Sequence, residues 1–216
     1  MVMMEESGSR NTTRRAGPRN QENVAIFGSL RTVHNDLTRI PAEIIAVREW
    51  TRFRCRFGCA AYGTHFCCPP FVPSTAETRA MIAEYHTAVL VRFDTATFPP
   101  GPDGLPLSRG EILRTVQQTI ADLERTAFLA GSYRAFGMGA SPCALCSTCV
   151  AQEMLDVGTT PTAADAVRCR QKKVMRPSME ALGIDVFETV RSAGLSIEVL
   201  NGREDPPIYF GLVLLD

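Results

Sequence analysis

Two groups of clustered cysteines constrain this chain more than any other feature of its sequence. The run CRFGCAAYGTHFCCPP, residues 55 to 70, contains four of the eight cysteines, and CALCSTC, residues 143 to 149, contains three more. A hydrophobic core needs no such density of thiols. In a chain of this length, clustered cysteines are typical of metal ligands or redox groups, whereas disulfide staples are typical of small secreted domains.

Composition and charge exclude several classes of partner. The 216 residues are 45% hydrophobic, enough for one well-filled core. The formal net charge is +0, so no overall field attracts the chain to nucleic acid or to an anionic membrane. The N-terminal sequence lacks the apolar core of a signal peptide, and apolar runs such as AVLV at 88 to 91 are too short to span a bilayer. We therefore expect a cytoplasmic protein that contacts neither nucleic acid nor membrane.

The chain divides into a tail and one domain. Residues 1 to 23 are polar and show neither a helical nor a strand period, which predicts a flexible tail. Residues 24 to 216 carry the apolar patterning and both cysteine groups, which predicts a single metal-cluster-binding domain.

Two strands are predicted before and within the first cysteine group. AEIIAV at 42 to 47 is a short apolar run, and TRFRCRF at 51 to 57 alternates strictly. As a strand, the second run points Cys55 inward. Its opposite face then carries three arginines, Arg52, Arg54 and Arg56.

Capping boxes mark the starts of two helices. Ser74 with Glu77 predicts one helix, and Ser108 with Glu111 predicts the longest helix of the chain. Between them, the β-branched run TAVLVRF at 87 to 93 predicts a buried strand.

The second half of the chain continues the alternation. YRAFGM at 133 to 138 predicts a strand, Pro177 begins a short helix, and DVFETVRSAG at 185 to 194 predicts another helix. SIEVL and IYFGLVLL then resemble the two strands of a hairpin. The pattern predicts an α/β sandwich with a mixed sheet, a terminal β-hairpin and two cysteine-rich cluster-binding loops.

The second cysteine group has the spacing of an iron–sulfur loop. Cys143, Cys146 and Cys149 follow C-x2-C-x2-C, and Cys169 is a possible fourth thiolate. Such a loop holds three irons of a four-iron four-sulfur cluster. Structural zinc usually takes two separate C-x2-C knuckles, because a tetrahedral ion needs ligands from two directions. The spacing favours iron–sulfur, with zinc as the alternative.

The first cysteine group requires a choice between neighbours. Cys67 and Cys68 are adjacent, so their side chains are expected to point to opposite sides and only one is expected to bind metal. The Cys-Pro step favours Cys68, because this step recurs in ferredoxin-type loops. The predicted ligands are therefore Cys55, Cys59 and Cys68, with Cys67 as the alternative to Cys68.

The first group also resembles a known family. Its pattern C-x3-C-x2-Y-G-x4-C-P-P is similar to that of the family described as predicted metal-binding proteins, domain of unknown function 2284, and is carried by Cys55, Cys59, Tyr62, Gly63, Cys68, Pro69 and Pro70. The run SPCALCSTC, Cys169 and the run RPSMEALGIDVFETV at 176 to 190 resemble its second half, so the resemblance covers about residues 40 to 216. Cys67 departs from the pattern as an extra thiol. The resemblance implies metal or cluster binding and no particular reaction.

Three thiolates leave one iron of a four-iron cluster without a protein ligand, and such an iron can act as a Lewis acid. This predicts an iron–sulfur-dependent oxidoreductase or lyase that acts on a small polar metabolite, with the second cluster passing electrons to the first. Alternatively, His65 or Cys67 completes the first site. The protein is then an electron carrier or assembly partner of a redox partner protein, and structural zinc is a third reading. No catalytic residue is assigned, and no nucleotide-binding fingerprint occurs.

Overall fold

The computed structural model describes residues 25 to 200, 202 and 205 to 216, so the predicted tail lies outside the described residues. The described helices are α1 (residues 25 to 30), α2 (Glu49–Gly58), α3 (Thr75–Ile82), α4 (Arg109–Leu129), α5 (Val150–Asp156) and α6 (Val186–Ser192). The strands are β1 (Leu37–Pro41), β2 (Thr87–Asp94), β3 (Phe136–Met138) and β4 (Ile208–Leu215). Short 3-10 turns include Ala42–Ile44, Ala163–Arg168 and Glu180–Leu182.

The four strands form one sheet in the order β1-β2-β4-β3. The mixture of helices and strands confirms the predicted α/β class. The three strand pairings of the described sheet are all antiparallel, so the sheet differs from the mixed one that was predicted. The predicted terminal hairpin is absent from the described residues, because residues 195 to 200 form no strand. β4 is apolar along its length, and it lies between β2 and β3 where both of its faces are buried.

Apolar layers cover both faces of the sheet. One face packs against α1 and α4 through Val89, Val91, Phe93 and Val213 of the strands and Val116, Ile120 and Leu123 of α4. The other face packs against α3, α6 and the turn at 180 to 182 through Ala88, Leu90, Leu212, Leu214, Ile82, Val190, Met179 and Leu182. The arrangement is the predicted sandwich, with the sheet as its middle layer.

The predicted strand at 51 to 57 is wrong, because these residues lie in α2. Trp50, Phe53 and Phe57 are spaced by three and four residues, and they share one face of the helix. Arginine alternates with phenylalanine or cysteine in residues 52 to 57, and this alternation led to the wrong prediction of a strand. The predicted strand at 42 to 47 is also displaced, because β1 precedes it and a 3-10 turn begins at Ala42.

Three other local signals are confirmed, whereas the helix predicted from Pro177 is only the 3-10 turn Glu180–Leu182 and the strand predicted at 133 to 138 is only Phe136–Met138. Ser74 with Glu77 and Ser108 with Glu111 form complete capping boxes at the starts of α3 and α4. The predicted buried strand at 87 to 93 is β2, whose first five residues are all buried. These short-range patterns are reliable because the hydrogen bonds that they describe form within a few residues.

Two glycines let α4 lie close to the sheet. A Cβ atom at Gly211 of β4 would lie 2.5 Å from Ile120 Cδ1 and 2.9 Å from the carbonyl oxygen of Met138. A Cβ atom at Gly137 of β3 would lie 2.8 Å from Ile120 Cγ2. The close approach of Ile120 therefore requires glycine on both neighbouring strands.

Replacing Gly211 with alanine is expected to lower the free energy of unfolding by about 1–3 kcal/mol, because the added methyl group overpacks the contact with Ile120. Urea unfolding of the metal-free protein measures this change. The control is Gly110→Ala in the first turn of α4, where a Cβ atom would meet nothing within 4 Å. Equal stability of the two variants would contradict the close packing of α4.

Candidate metal centres

A strap of nine residues, Arg176 to Ile184, connects both cysteine groups to the sandwich. The buried Gln117 side chain of α4 donates to the carbonyl oxygen of Arg176 and accepts from its backbone N–H, both at 3.0 Å. The Arg176 guanidinium donates to both carboxylate oxygens of Glu124, at 2.5 and 2.6 Å. Further along the strap, the backbone N–H of Gly139 donates to the carbonyl oxygen of Pro177 at 2.8 Å. The backbone N–H of Met179 donates in turn to the carbonyl oxygen of Gly139 at 3.0 Å. The strap is thereby fixed to α4 and to the chain that follows β3.

The first cysteine group begins at the end of α2. Cys55 lies in the last turns of the helix and Cys59 is its C-cap, so the spacing of four residues places both on one side of the helix. The Cys55 sulfur lies 3.9 Å from the carbonyl oxygen of Glu180 in the strap. Arg52 fixes the helix, because its guanidinium donates to the carbonyl oxygens of Pro73 and Ala181 at 2.7 and 2.9 Å.

The loop after α2 folds back to bring Cys68 to the same place. Gly63 has a φ of 74°, as its predicted turn requires, and its N–H donates to the carbonyl oxygen of Pro69 at 2.8 Å. Cys55, Cys59 and Cys68 then line one large hollow, together with Tyr62. The three predicted ligands of the first site are therefore brought together; that they bind metal stays a prediction.

The second cysteine group surrounds a smaller cavity. Cys149 is the N-cap of α5, and Arg170 holds the following segment to that helix through Glu153 and the carbonyl oxygen of Thr148. All four predicted ligands line this cavity: Cys143, Cys146, Cys149 and Cys169. Burial raises the pKa of the Cys169 thiol, as do the thiols of Cys143, Cys149 and Cys146. The four side chains of this group are thus neighbours, although Cys169 is distant in sequence.

Cys67 and Cys68 line different cavities. Cys68 lines the hollow of the first group, whereas Cys67 lines the cavity of the second group. The Cys67 side chain is 1% exposed, its sulfur accepts the backbone N–H of Cys143 at 3.2 Å, and it lies 3.8 Å from the Cys68 sulfur. Cys67 is therefore the point at which the two groups meet.

His65 also lines the second cavity, where its Nδ1 lies 2.8 Å from Thr64 Oγ1. Burial lowers the pKa of His65. His65 lines the cavity of the second group and not the hollow of the first, so the prediction that it completes the first site has no support here. Cys67 also lines the second cavity, but its sulfur lies 3.8 Å from that of Cys68, so its part in the first site stays a prediction.

The prediction that Arg52, Arg54 and Arg56 share one face, opposite Cys55, is wrong, since α2 is a helix. Arg54 lies 5.8 Å from the ring of Trp50, and Arg56 lies 5.5 Å from the ring of Phe57. Such cation–π contacts keep guanidinium groups on the surface of the helix. Arg52 and Arg56 lie one turn apart on one face of α2 and Arg54 lies on another, so the three arginines form no single row.

Glu180 is a residue of the first site that the sequence did not reveal. It lines the same hollow as the three cysteines, and its Oε2 is buried without a hydrogen-bond partner among the described residues. Burial raises the pKa of the Cys55 thiol, and the nearby Cys59 and Glu180 raise it further. Glu180 lies 125 residues beyond Cys55 in the chain, and no spacing rule connects them.

Thiols that are close together and buried retain their protons more strongly than free thiols. The neighbouring Cys67 thiol and burial both raise the pKa of Cys143. Metal binding offsets this effect, because the metal ion takes the place of the thiol protons and its positive charge stabilises the neighbouring thiolates. Within the described residues, no group of three or more His, Cys, Asp or Glu side chains is arranged closely enough for a single metal ion.

Two cavities lined by free cysteines, in an α/β sandwich, are typical of a metal-binding protein. Residues 38 to 215 match the model of the family described as predicted metal-binding protein, domain of unknown function 2284, and the chain belongs to that family. Neither the curated proteins nor the solved structures contained a match. Among the described helices, none has the length and apolar character needed to cross a membrane.

The positions of Cys67 and Cys68 predict different effects of their removal. If each group binds a four-iron four-sulfur cluster, Cys68→Ser is expected to lower the bound iron of an anaerobic preparation by about four atoms per chain, whereas Cys67→Ala is expected to retain it. Iron analysis and visible absorbance measure both effects. Because Cys67 accepts the N–H of Cys143, its removal should shift the reduction potential of the second centre. Loss of iron from Cys67→Ala, with full retention in Cys68→Ser, would reverse the assignment.

The ion pair between Arg170 and Glu153 predicts a pH effect. The hydrogen bond from Arg170 holds the pKa of Glu153 below its ordinary value. A lowered pKa stabilises the fold above the unfolded pKa of about 4.3, and this contribution is lost as the pH falls through the folded pKa. At pH 7, the free energy of unfolding in urea is expected to be slightly higher for the metal-free wild type than for Glu153→Gln. In acid, the two proteins are expected to be equally stable. A difference that persists unchanged in acid would contradict the prediction.

Proposed function

We propose that the protein binds two four-iron four-sulfur clusters, one in each cysteine group, and that the first cluster acts on a small polar metabolite. The observation that carries this proposal is the separation of the seven predicted ligands into two cavities. Cys55, Cys59 and Cys68 line one hollow, and the other four line the second cavity. All donors are thiols, the ligands that iron–sulfur clusters take.

The spacing of the second group supports a cluster over a single ion. Three cysteines in the pattern C-x2-C-x2-C hold three irons of a four-iron cluster, whereas structural zinc usually takes two separate C-x2-C knuckles. Structural zinc remains the alternative that the metal analysis below tests.

The two cavities suit different roles. The second has a volume of about 390 Å³, including the space open to solvent, and lies beside buried side chains such as Cys67 and Phe66, which suits a cluster that only passes electrons. The first opens into a hollow of about 3960 Å³, including the space open to solvent. A metabolite therefore has room beside the three cysteines.

The walls of the first hollow carry the groups that a polar metabolite needs. Arg54, Arg109 and Glu180 provide charge, and Trp50 and Phe53 provide apolar surface. A cluster held there by three cysteines would supply Lewis-acid or redox chemistry at its fourth iron. The protein residues would bind and orient the metabolite next to it. These features support an iron–sulfur-dependent oxidoreductase or lyase.

A second function is favoured by a different observation. Phe53 and Phe57 on α2 are 61% and 76% exposed, close to the first cysteine group. Exposed aromatic side chains are enriched where proteins bind one another. The same centre could therefore exchange electrons with a redox partner protein, and the chain would then be a carrier or assembly partner rather than an enzyme.

Metal analysis tests the proposal directly. Protein purified without oxygen is expected to be brown and to contain about eight iron and eight acid-labile sulfide atoms per chain. The control is a variant with Cys143, Cys146 and Cys149 replaced by serine, which is expected to keep about four of each. A colourless protein that contains stoichiometric zinc and no sulfide would overturn the proposal.

A further inference from the structure

Glu180 lies at the start of the turn Glu180–Leu182, beside the first cysteine group. Its carbonyl oxygen lies 3.9 Å from the Cys55 sulfur, and Glu180 lines the hollow that Cys55, Cys59 and Cys68 also line. Glu180 is therefore an acidic residue in the wall of the first hollow, in contact with one of the three cysteines.

One oxygen of this carboxylate is poorly satisfied. Glu180 Oε2 is buried and accepts no hydrogen bond from any described residue. Burial raises the pKa of the Glu180 carboxyl, and its own backbone N–H, the Ser178 side chain and the charge of Arg54 oppose that rise. A buried carboxylate oxygen without a donor costs free energy unless a proton or a cation compensates it. A cation bound beside Glu180 would supply the partner that this oxygen lacks.

The backbone holds Glu180 in a fixed place. The N–H of Met179 donates to the carbonyl oxygen of Gly139 at 3.0 Å, and the N–H of Ala181 donates to Ser178 Oγ at 3.1 Å. Glu180 lies between these two anchored residues. A side chain on such a rigid turn suits a ligand, because little conformational entropy is lost when it binds a metal.

We infer that Glu180 supplies the fourth protein ligand of the first centre, through an oxygen that an incoming molecule can displace. This inference rests on the proposed function, since it requires a cluster at Cys55, Cys59 and Cys68. Carboxylate is a harder donor than thiolate, and soft iron–sulfur sites favour thiolate. An oxygen ligand is therefore the one of the four that a substrate would replace most easily. The centre is closed at rest and opens when a metabolite binds.

Three variants test the inference with cyanide as the probe. Glu180→Ala removes the oxygen ligand, Glu180→Cys replaces it with a thiolate, and Glu188→Gln is the matched control. Glu188 lies on α6 and pairs with Arg48 at the surface, so its removal changes a carboxylate away from the cysteines. Each protein is purified without oxygen, assayed for iron and sulfide, reduced, and titrated with cyanide while electron paramagnetic resonance is recorded.

The alanine variant is expected to bind cyanide at least about tenfold more tightly than wild type, because no ligand has to be displaced. The cysteine variant is expected to show no cyanide response at the first centre, and the control is expected to behave as wild type. The spectrum of the first centre before cyanide should also change in Glu180→Ala, which a carboxylate that contacts only substrate would not cause.

The outcomes separate this inference from the proposed function. The inference would be overturned if wild type and Glu180→Ala both contained two clusters and had the same spectra and the same cyanide affinity. That outcome would still establish the two clusters. Absence of iron and sulfide from wild type would overturn both. If Glu180→Ala does not fold, Glu180→Cys decides, because retention of its cyanide response would show that residue 180 does not reach the metal.

Discussion

The hydrogen bonds between Gln117 and the backbone of Arg176 are the interaction on which both candidate centres depend. Gln117 is fully buried in α4, and its amide satisfies one N–H and one C=O of a segment that has no strand partner at that point. Buried amides with both groups paired specify one register of the chain. This pairing fixes the position of Arg176 against α4, and with it the path of the strap from Arg176 to Ile184. It meets Gly139 near the second group and Cys55 at the first group.

One consequence is that the two groups share a support. The chain between β3 and Cys143 is held by the beginning of the strap, and α2 is held by its end through the bond from the N–H of Arg48 to the carbonyl oxygen of Gly183. Cys67 and Cys68 connect the two groups a second time, through their adjacent sulfur atoms. A displacement of the strap would therefore move the cysteines of both groups together. This coupling suits a protein in which two centres act in sequence.

The sequence predicted what short-range chemistry decides. The capping boxes at Ser74 and Ser108, the strand at 87 to 93 and the turn at Gly63 all depend on contacts within a few residues. The grouping of the seven predicted ligands into two sets is also as expected. α2 was missed because its arginines alternate with Phe53, Cys55 and Phe57 over a single short run, and the helix is stabilised by contacts with the distant strap. Sequence patterns do not contain such contacts.

Long-range contacts also explain the remaining differences. The position of β4 between β2 and β3 depends on pairing with residues far away, so the sequence suggested a local hairpin. Glu180 became a candidate ligand only when the fold placed it beside Cys55. The expectation that Cys67 and Cys68 point to opposite sides was wrong, because their sulfurs lie 3.8 Å apart in a turn, and the contact of Cys67 with Cys143 was not foreseen. Except for the adjacent Cys67 and Cys68, the missing information is a distance between residues that are remote in the chain.

The central position of β4 also bears on how the protein is made. β4 pairs Ile208 with Asp94 and, on its other side, Leu212 with Met138, so the sheet cannot be completed until these last residues have been synthesised. Both cysteine groups precede β4 in the chain, and they leave the ribosome while the layer beneath them is still open. Non-local pairing of this kind slows folding and leaves apolar surface exposed in the meantime. Nascent chains of this protein therefore display their thiols before their core has closed, and in that interval the thiols are more accessible to metal than in the finished fold.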